Sequence, residues 1–285
     1  MFSNEEPRID AAGPTWKSRF GLSAHLKDKA IEDIAAVAGR CGAQYLEIVA
    51  ERFWDLPDGG GEARWRQIKE LLRSHGLLPT VHASYVELNL ASLNPYLREA
   101  ALRQTLRCLE LAAYLEAEFL VVHAGNLNRD YPPSLLPEAR SSLHESLATL
   151  SAEAKAAGVT VALENGWKGE NYPLITNVDE HAALIKEVAS PALKALLDVG
   201  HANTFGVDLA SYLKRLQPYL AGIHLHDNSG SRDEHLPLGM GTIEGAVIQR
   251  CFEAGVPVIL EMNSLSDIDA SMAYLEAHLE TVDAP

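Results

Sequence analysis

The sequence predicts a single (β/α)8 barrel of the α/β class. Three observations carry this reading. Short apolar runs alternate with longer amphipathic stretches along all 285 residues. Several of those runs are unbroken Val, Ile and Leu, as a parallel strand covered on both faces requires. The strand–helix repeats number about eight in roughly 250 residues, the size at which such a sheet closes on itself.

The strands are read in RFGLSAH (19–25), YLEIVA (45–50), LPTVHA (78–83), FLVVHAG (119–125), VTVALEN (159–165), ALLDVGH (195–201), AGIHLHD (221–227) and VPVILEMN (256–263). Between them apolar residues recur at three and four. In 97–117, for example, Leu102, Leu106, Leu109 and Ala113 share one helix side. The stretches 136–158 and 245–255 each end on glycine, the usual residue past a helix C-terminus. An open doubly wound sheet is the competing architecture, but no G-x-G-x-x-G follows the first strand. Residues 1–16 read as a polar N-terminal extension, 17–280 as the barrel and 281–285 as a loose end.

At 47% hydrophobic and 22% charged, the chain can bury a globular core. Its net charge of −15 disfavours attraction to nucleic acid or an anionic membrane. Cys41, Cys108 and Cys251 include no C-x-x-C pair and read as buried reduced thiols. The opening MFSNEEPRID has neither the basic nor the apolar region of a signal peptide, and no apolar run reaches about 18 residues. A cytoplasmic protein is the expectation.

In such a barrel chemistry sits at the C-terminal ends of the strands. From the third strand onward these ends read His82, His123, Glu164, Asp198 with His201, His224 and Glu261. Three carboxylates at one rim would repel one another, and a divalent cation between them lets all stay ionised. Mixed carboxylate and imidazole donors suit Mn, Mg, Co, Fe or Zn. Glu164, Asp198, His224 and Glu261 are therefore the expected ligands. His82 and His123 read equally as ligands or as hydrogen-bonded core residues. His201 could ligate or bind a substrate hydroxyl. His226, two beyond His224, reads as a supporting neighbour of the ligands. Asp233 and His235 form a D-x-H pair that reads equally as a solvated turn. His25 is placed at the pocket wall, with Trp167, Phe53 and Trp54 as further wall candidates. His75, His144, His181 and His278 fall in helical patterns and read as surface residues. Lys168 and Arg129 are candidate phosphate partners or solvated loop residues.

These residues carry a family pattern. VALENGW, LLDVGHANTFG, IHLHDNSGSRDEHLPLGMGTI and VILEMN resemble the xylose-isomerase-like barrel superfamily, over nearly the whole chain. That group holds sugar and sugar-phosphate isomerases and epimerases, and also endonuclease IV. The isomerase branch implies one metal on Glu164, Asp198, His224 and Glu261. In it the two glutamates also move the proton, through an enediolate, while His201 and Arg232 bind substrate oxygens. The endonuclease IV branch implies about three zinc ions, adding His82, His123, His201, Asp233 and His235 as ligands, and places Tyr85 near DNA. The chain departs from that branch: DVGH stands for D-T-C-H, HLHDNS for H-L-N-D-S-K and DEH for D-R-H. Lost positive charge argues for a small carbohydrate substrate, free or phosphorylated, with an abasic-DNA phosphodiesterase as the alternative and a non-catalytic binding barrel as a third reading. The resemblance also makes a homodimer an expectation.

Overall fold

Eight parallel strands close into a barrel: β1 (Phe20–Ser23), β2 (Tyr45–Val49), β3 (Leu78–His82), β4 (Leu120–His123), β5 (Val161–Glu164), β6 (Leu193–Asp198), β7 (Leu220–Leu225) and β8 (Val258–Leu260). β8 pairs with β1, so no edge is left open. This computed structural model describes residues 16–26, 29–53 and 61–279. Each strand returns through α1 (Ile31–Cys41), α2 (Gly61–His75), α3 (Pro95–Leu115), α4 (Leu136–Ala157), α5 (Val178–Val188), α8 (Gly245–Glu253) or α9 (Leu265–Leu279). After β6 the return takes two helices, the short α6 (Val199–Asn203) and α7 (Leu209–Leu216). Gly158 closes α4 in the left-handed conformation, with φ 71°. No described helix is long and apolar enough to cross a membrane.

Most of the core lies between sheet and helices, in one continuous apolar cluster. A second, smaller cluster of Phe119, Val121, Ala162 and Leu196 plugs the barrel itself. Gly222 on β7 makes room for it, since a Cβ there would sit 2.6 Å from the Phe119 ring. Strand side chains alternate faces. Val121, Ala162 and Leu196 each stand two residues before His123, Glu164 and Asp198. The alternation that seats the plug therefore carries these ionisable residues inward one layer higher.

Three sequence expectations change. Trp16 belongs to the barrel rather than the extension: its ring packs at 5.7 Å on both Phe20 and Phe252. Cys41 is half-buried, whereas Cys108 and Cys251 are buried. His181 is fully buried instead of exposed, because Nε2 donates to the Leu163 carbonyl (2.8 Å) and Nδ1 accepts from the Tyr212 hydroxyl (3.2 Å).

Candidate metal centre

The strand ends converge at one rim. Glu164 and Asp198 terminate β5 and β6, His224 stands one residue before the end of β7, and Glu261 follows β8. Lateral register sets His123 beside Glu164 and Asp198 beside His224. His224 Nδ1 lies 3.1 Å from Glu164 Oε1 and 3.5 Å from Glu261 Oε1. His123 Nε2 is 2.9 Å and His82 Nε2 3.6 Å from Glu164 Oε2. Further out, Asp233 Oδ2 faces His201 Nε2 at 3.4 Å and His235 Nε2 at 3.3 Å. His226 Nε2 joins the two groups, 3.3 Å from Asp198 Oδ1 and 3.4 Å from Asp233 Oδ1.

Local backbone chemistry sets these orientations. Asp198 caps α6, its Oδ1 accepting from His201 N at 2.6 Å, which leaves Oδ2 turned into the rim. Gly200 clears space for the His226 ring, since a Cβ there would meet it at 2.0 Å. Asp227 holds the loop that follows β7: its carboxylate accepts from the backbone N–H of Asn228, Gly239, Gly241 and Ile243. That loop delivers Asp233 and His235, and His235 adopts a left-handed φ of 49°. Such a backbone costs a non-glycine residue about 1–2 kcal/mol and persists where the surroundings impose it.

Three of the imidazoles share one arrangement. His82 donates Nδ1–H to the Ala83 carbonyl (2.8 Å), His201 to that of Asn165 (3.0 Å) and His235 to that of Glu261 (3.0 Å). A carbonyl can only accept, so each ring turns Nε2 toward a carboxylate, as a proton donor or, once that proton is displaced, as a lone pair for an ion. Asp198 Oδ2, His226 Nε2 and Asp233 Oδ1 are buried without a well-formed hydrogen bond, and Glu164 Oε2 meets only the His123 and His82 rings. Each such atom costs about 1–3 kcal/mol unless something other than a hydrogen bond satisfies it. Overlapping sets of ligand atoms, among them Glu164–Asp198–His224, His82–His123–Glu164 and His201–His226–Asp233–His235, lie within 4.8 Å of one another. Converging lone pairs, orphaned oxygens and an absence of cysteine fit divalent cations.

In the ion-free protein the rings and carboxylates neutralise one another. Burial opposes charge on Glu164, but His123 and His224 outweigh it and hold the carboxyl well below the usual range. Glu261 is held at about 2, burial being overcome by His224, His235 and His25. Burial likewise disfavours charge on His82 and His235. Facing carboxylates, Glu164 and Glu47 for the first and Asp233 for the second, push both up to about 9. Ions binding here would displace ring protons.

The rim thus gathers Glu164, Asp198, His224 and Glu261 together with His82, His123, His201, Asp233 and His235. Trp167 stands over it, 36% exposed, with its ring 4.9 Å from that of His201. It lines an open cleft with Tyr85, Asn126, Asn165, Glu170 and Asn171. Arg232 is exposed on the loop after β7, and Phe53 lies in the main core rather than on the pocket wall. Trp54 falls outside the described residues. Arg129 and Lys168 are exposed and absent from the described cleft lining. His25 has both ring nitrogens buried without a partner, its ring 5.7 Å from that of His235. Sequence reasoning overlooked Glu47 altogether. The available signal was one acid inside the apolar run YLEIVA, a residue that strand burial does not tolerate without a partner.

The profile of the xylose isomerase-like TIM barrel family matches residues 35–278. The chain belongs to that family. Uncharacterized protein MJ1311 of Methanocaldococcus jannaschii is 31% identical over 230 residues, covering 76% of this chain and 75% of that one. A probable endonuclease 4 of Thermoplasma acidophilum is 30% identical over 228 residues, covering 75% and 76%. Among solved structures, a D-tagatose 3-epimerase-like protein superposes with a TM-score of 0.81 at 26% identity, over 93% of this chain and 98% of that one. Both sequence branches of the resemblance thus recur among the relatives of this xylose isomerase-like barrel.

Proposed function

We propose that the chain is a divalent-metal-dependent isomerase or epimerase of a sugar or sugar phosphate, working by proton transfer beside a carbonyl. The observation that carries this reading is the pair Glu164, at the end of β5, and Glu261, just past β8, both close to His224 Nδ1 (3.1 and 3.5 Å) and next to the cleft that His123 and Trp167 line. Glu164, Asp198, His224 and Glu261 would hold the ion, which when bound polarises the substrate carbonyl and stabilises negative charge on its oxygen. On this reading Glu164 and Glu261 would approach the substrate from different faces, so that one could take the proton and the other return it. Trp167 and Tyr85 offer flat apolar faces to a sugar ring, and Asn126, Asn165 and Asn171 offer amides to its hydroxyls. His201, pinned by the Asn165 carbonyl, keeps Nε2 for the outer group or for a substrate oxygen. No lysine or arginine stands among the described cleft residues, which suits a small polyol better than a DNA backbone. The similarity to a D-tagatose 3-epimerase-like structure supports the same class.

A second reading, a multi-zinc phosphodiesterase on abasic DNA, is favoured by one observation. His82, His123, His201, Asp233 and His235 all join the rim, more donors than a single ion needs. The purified protein decides between them. Exchange of a substrate α-proton with deuterium, across a panel of ketoses and ketose phosphates, supports the isomerase. Its absence on every substrate, together with nicking of abasic duplex DNA, supports the phosphodiesterase.

A further inference from the structure

Glu47 is a fully buried carboxylate in the middle of β2, inside the barrel. Strand register sets Ser23, Glu47 and Thr80 side by side on β1, β2 and β3. Ser23 Oγ donates to Glu47 Oε1 at 3.0 Å, and Thr80 Oγ1 donates to Oε2 at 3.4 Å. The third partner comes from across the barrel: His224 Nε2 lies 3.0 Å from Glu47 Oε2. Glu47 therefore has partners on both oxygens, whereas Asp198 Oδ2 is buried without a hydrogen bond. An already satisfied carboxylate gains little from a cation, and an unsatisfied one gains much.

His224 is also turned the other way from its neighbours. His82, His201 and His235 donate Nδ1–H to backbone carbonyls and present Nε2. His224 presents Nδ1 to Glu164 and Glu261 and gives Nε2 to Glu47. The reason is positional. The other three rings stand at a strand end (His82), in the short helix α6 (His201) and in a loop (His235), where carbonyls are within reach. His224 stands inside a central strand whose carbonyls are taken up by the ladders to β6 and β8. Only an inward side chain can accept its second N–H there, and Glu47 is the one supplied.

We propose that Glu47 is a positioning residue for the metal centre: by accepting Nε2–H of His224 it makes Nδ1 the ligating atom and fixes the ring plane. This rests on the reading of the rim as an ion site. It excludes a rival arrangement in which Glu47, His224 and Glu261, whose ligand atoms also lie within 4.8 Å of one another, hold an ion themselves. A carboxylate accepting from a ligating imidazole makes the ring more basic, and losing such a partner costs about 10–100-fold in metal affinity.

The test uses the full chain loaded with zinc and labelled with nitrogen-15 histidine. The expected spectrum shows His224 keeping its proton on Nε2 while Nδ1 carries the shift of a metal-bound nitrogen. Glu47→Gln, which keeps the shape and removes the charge, should weaken zinc binding by about 10–100-fold in competition with a chromophoric chelator. A metal-bound Nε2 on His224, or a Glu47→Gln protein that binds zinc as tightly as wild type, overturns the proposal while leaving the ion site intact. A wild-type protein that binds no zinc, manganese or cobalt overturns the ion site and this proposal together. If the variant does not fold, the wild-type spectrum decides alone.

Discussion

His181 lies beneath the end of β5, and acidification puts a number on its burial. Its neutral ring satisfies both nitrogens, one donating to Leu163 and one accepting from Tyr212. A second proton on Nδ1 would break the Tyr212 bond and place a charge in the core. Burial, only partly offset by the Leu163 carbonyl, lowers the pKa from 6.5 to about 4. The folded value lies below the unfolded one, so between them the unfolded chain binds more protons. The stability in question is fully present above pH 6.5 and is lost as the pH falls toward 4. Each pH step of one between those two values removes about 1.4 kcal/mol, which gives a loss of about 2 kcal/mol by pH 5 and about 3 kcal/mol by pH 4. Urea unfolding of wild type and His181→Gln at neutral pH and at pH 5 measures it. The variant should start less stable and lose about 2 kcal/mol less on acidification, because titrating groups common to both proteins drop out of the difference. Equal losses in the two proteins would refute the argument.

Three further outcomes are expected. Gly200→Ala drives a methyl into the His226 ring, and differential scanning calorimetry should show a destabilisation of about 1–3 kcal/mol, with fewer ions retained by mass spectrometry or metal analysis. Chelation followed by titration with manganese or zinc should raise thermal stability by about 2.7 kcal/mol once the free ion reaches a hundredfold over its dissociation constant; an unchanged midpoint at every concentration counts against an ion site. Glu261→Gln should cut α-proton exchange about 10²–10⁴-fold while circular dichroism shows the barrel still folded.

The eight strands were legible because a parallel strand inside a barrel is apolar on both faces, and runs such as FLVVHAG announce that without knowledge of neighbours. Strand ends were legible for the same reason: an ionisable residue closing an apolar run marks where the strand reaches the rim. The short ribbon of Asn126–Leu127 with Tyr172–Pro173 was not, since two-residue strands leave no periodicity. Nor was α6, which starts on the Asp198 cap and runs for five residues. Burial of His181 escaped because its partners, Leu163 and Tyr212, lie on other elements, and helical spacing alone does not reveal them. Glu47 escaped most completely: its partner His224 is 177 residues away, and only barrel closure brings the two together.

Phe119 and its apolar neighbours seal the lower end of the barrel, with Gly222 admitting the ring. Among the described residues, an ion held as proposed would then be reached from the upper mouth, beside Trp167. On that reading the ion would have to arrive first, and whatever occupied the cleft afterwards would stand between it and the solvent. Occupancy of the cleft and retention of the ion would become one kinetic problem, set by the geometry of a vessel stoppered at its base.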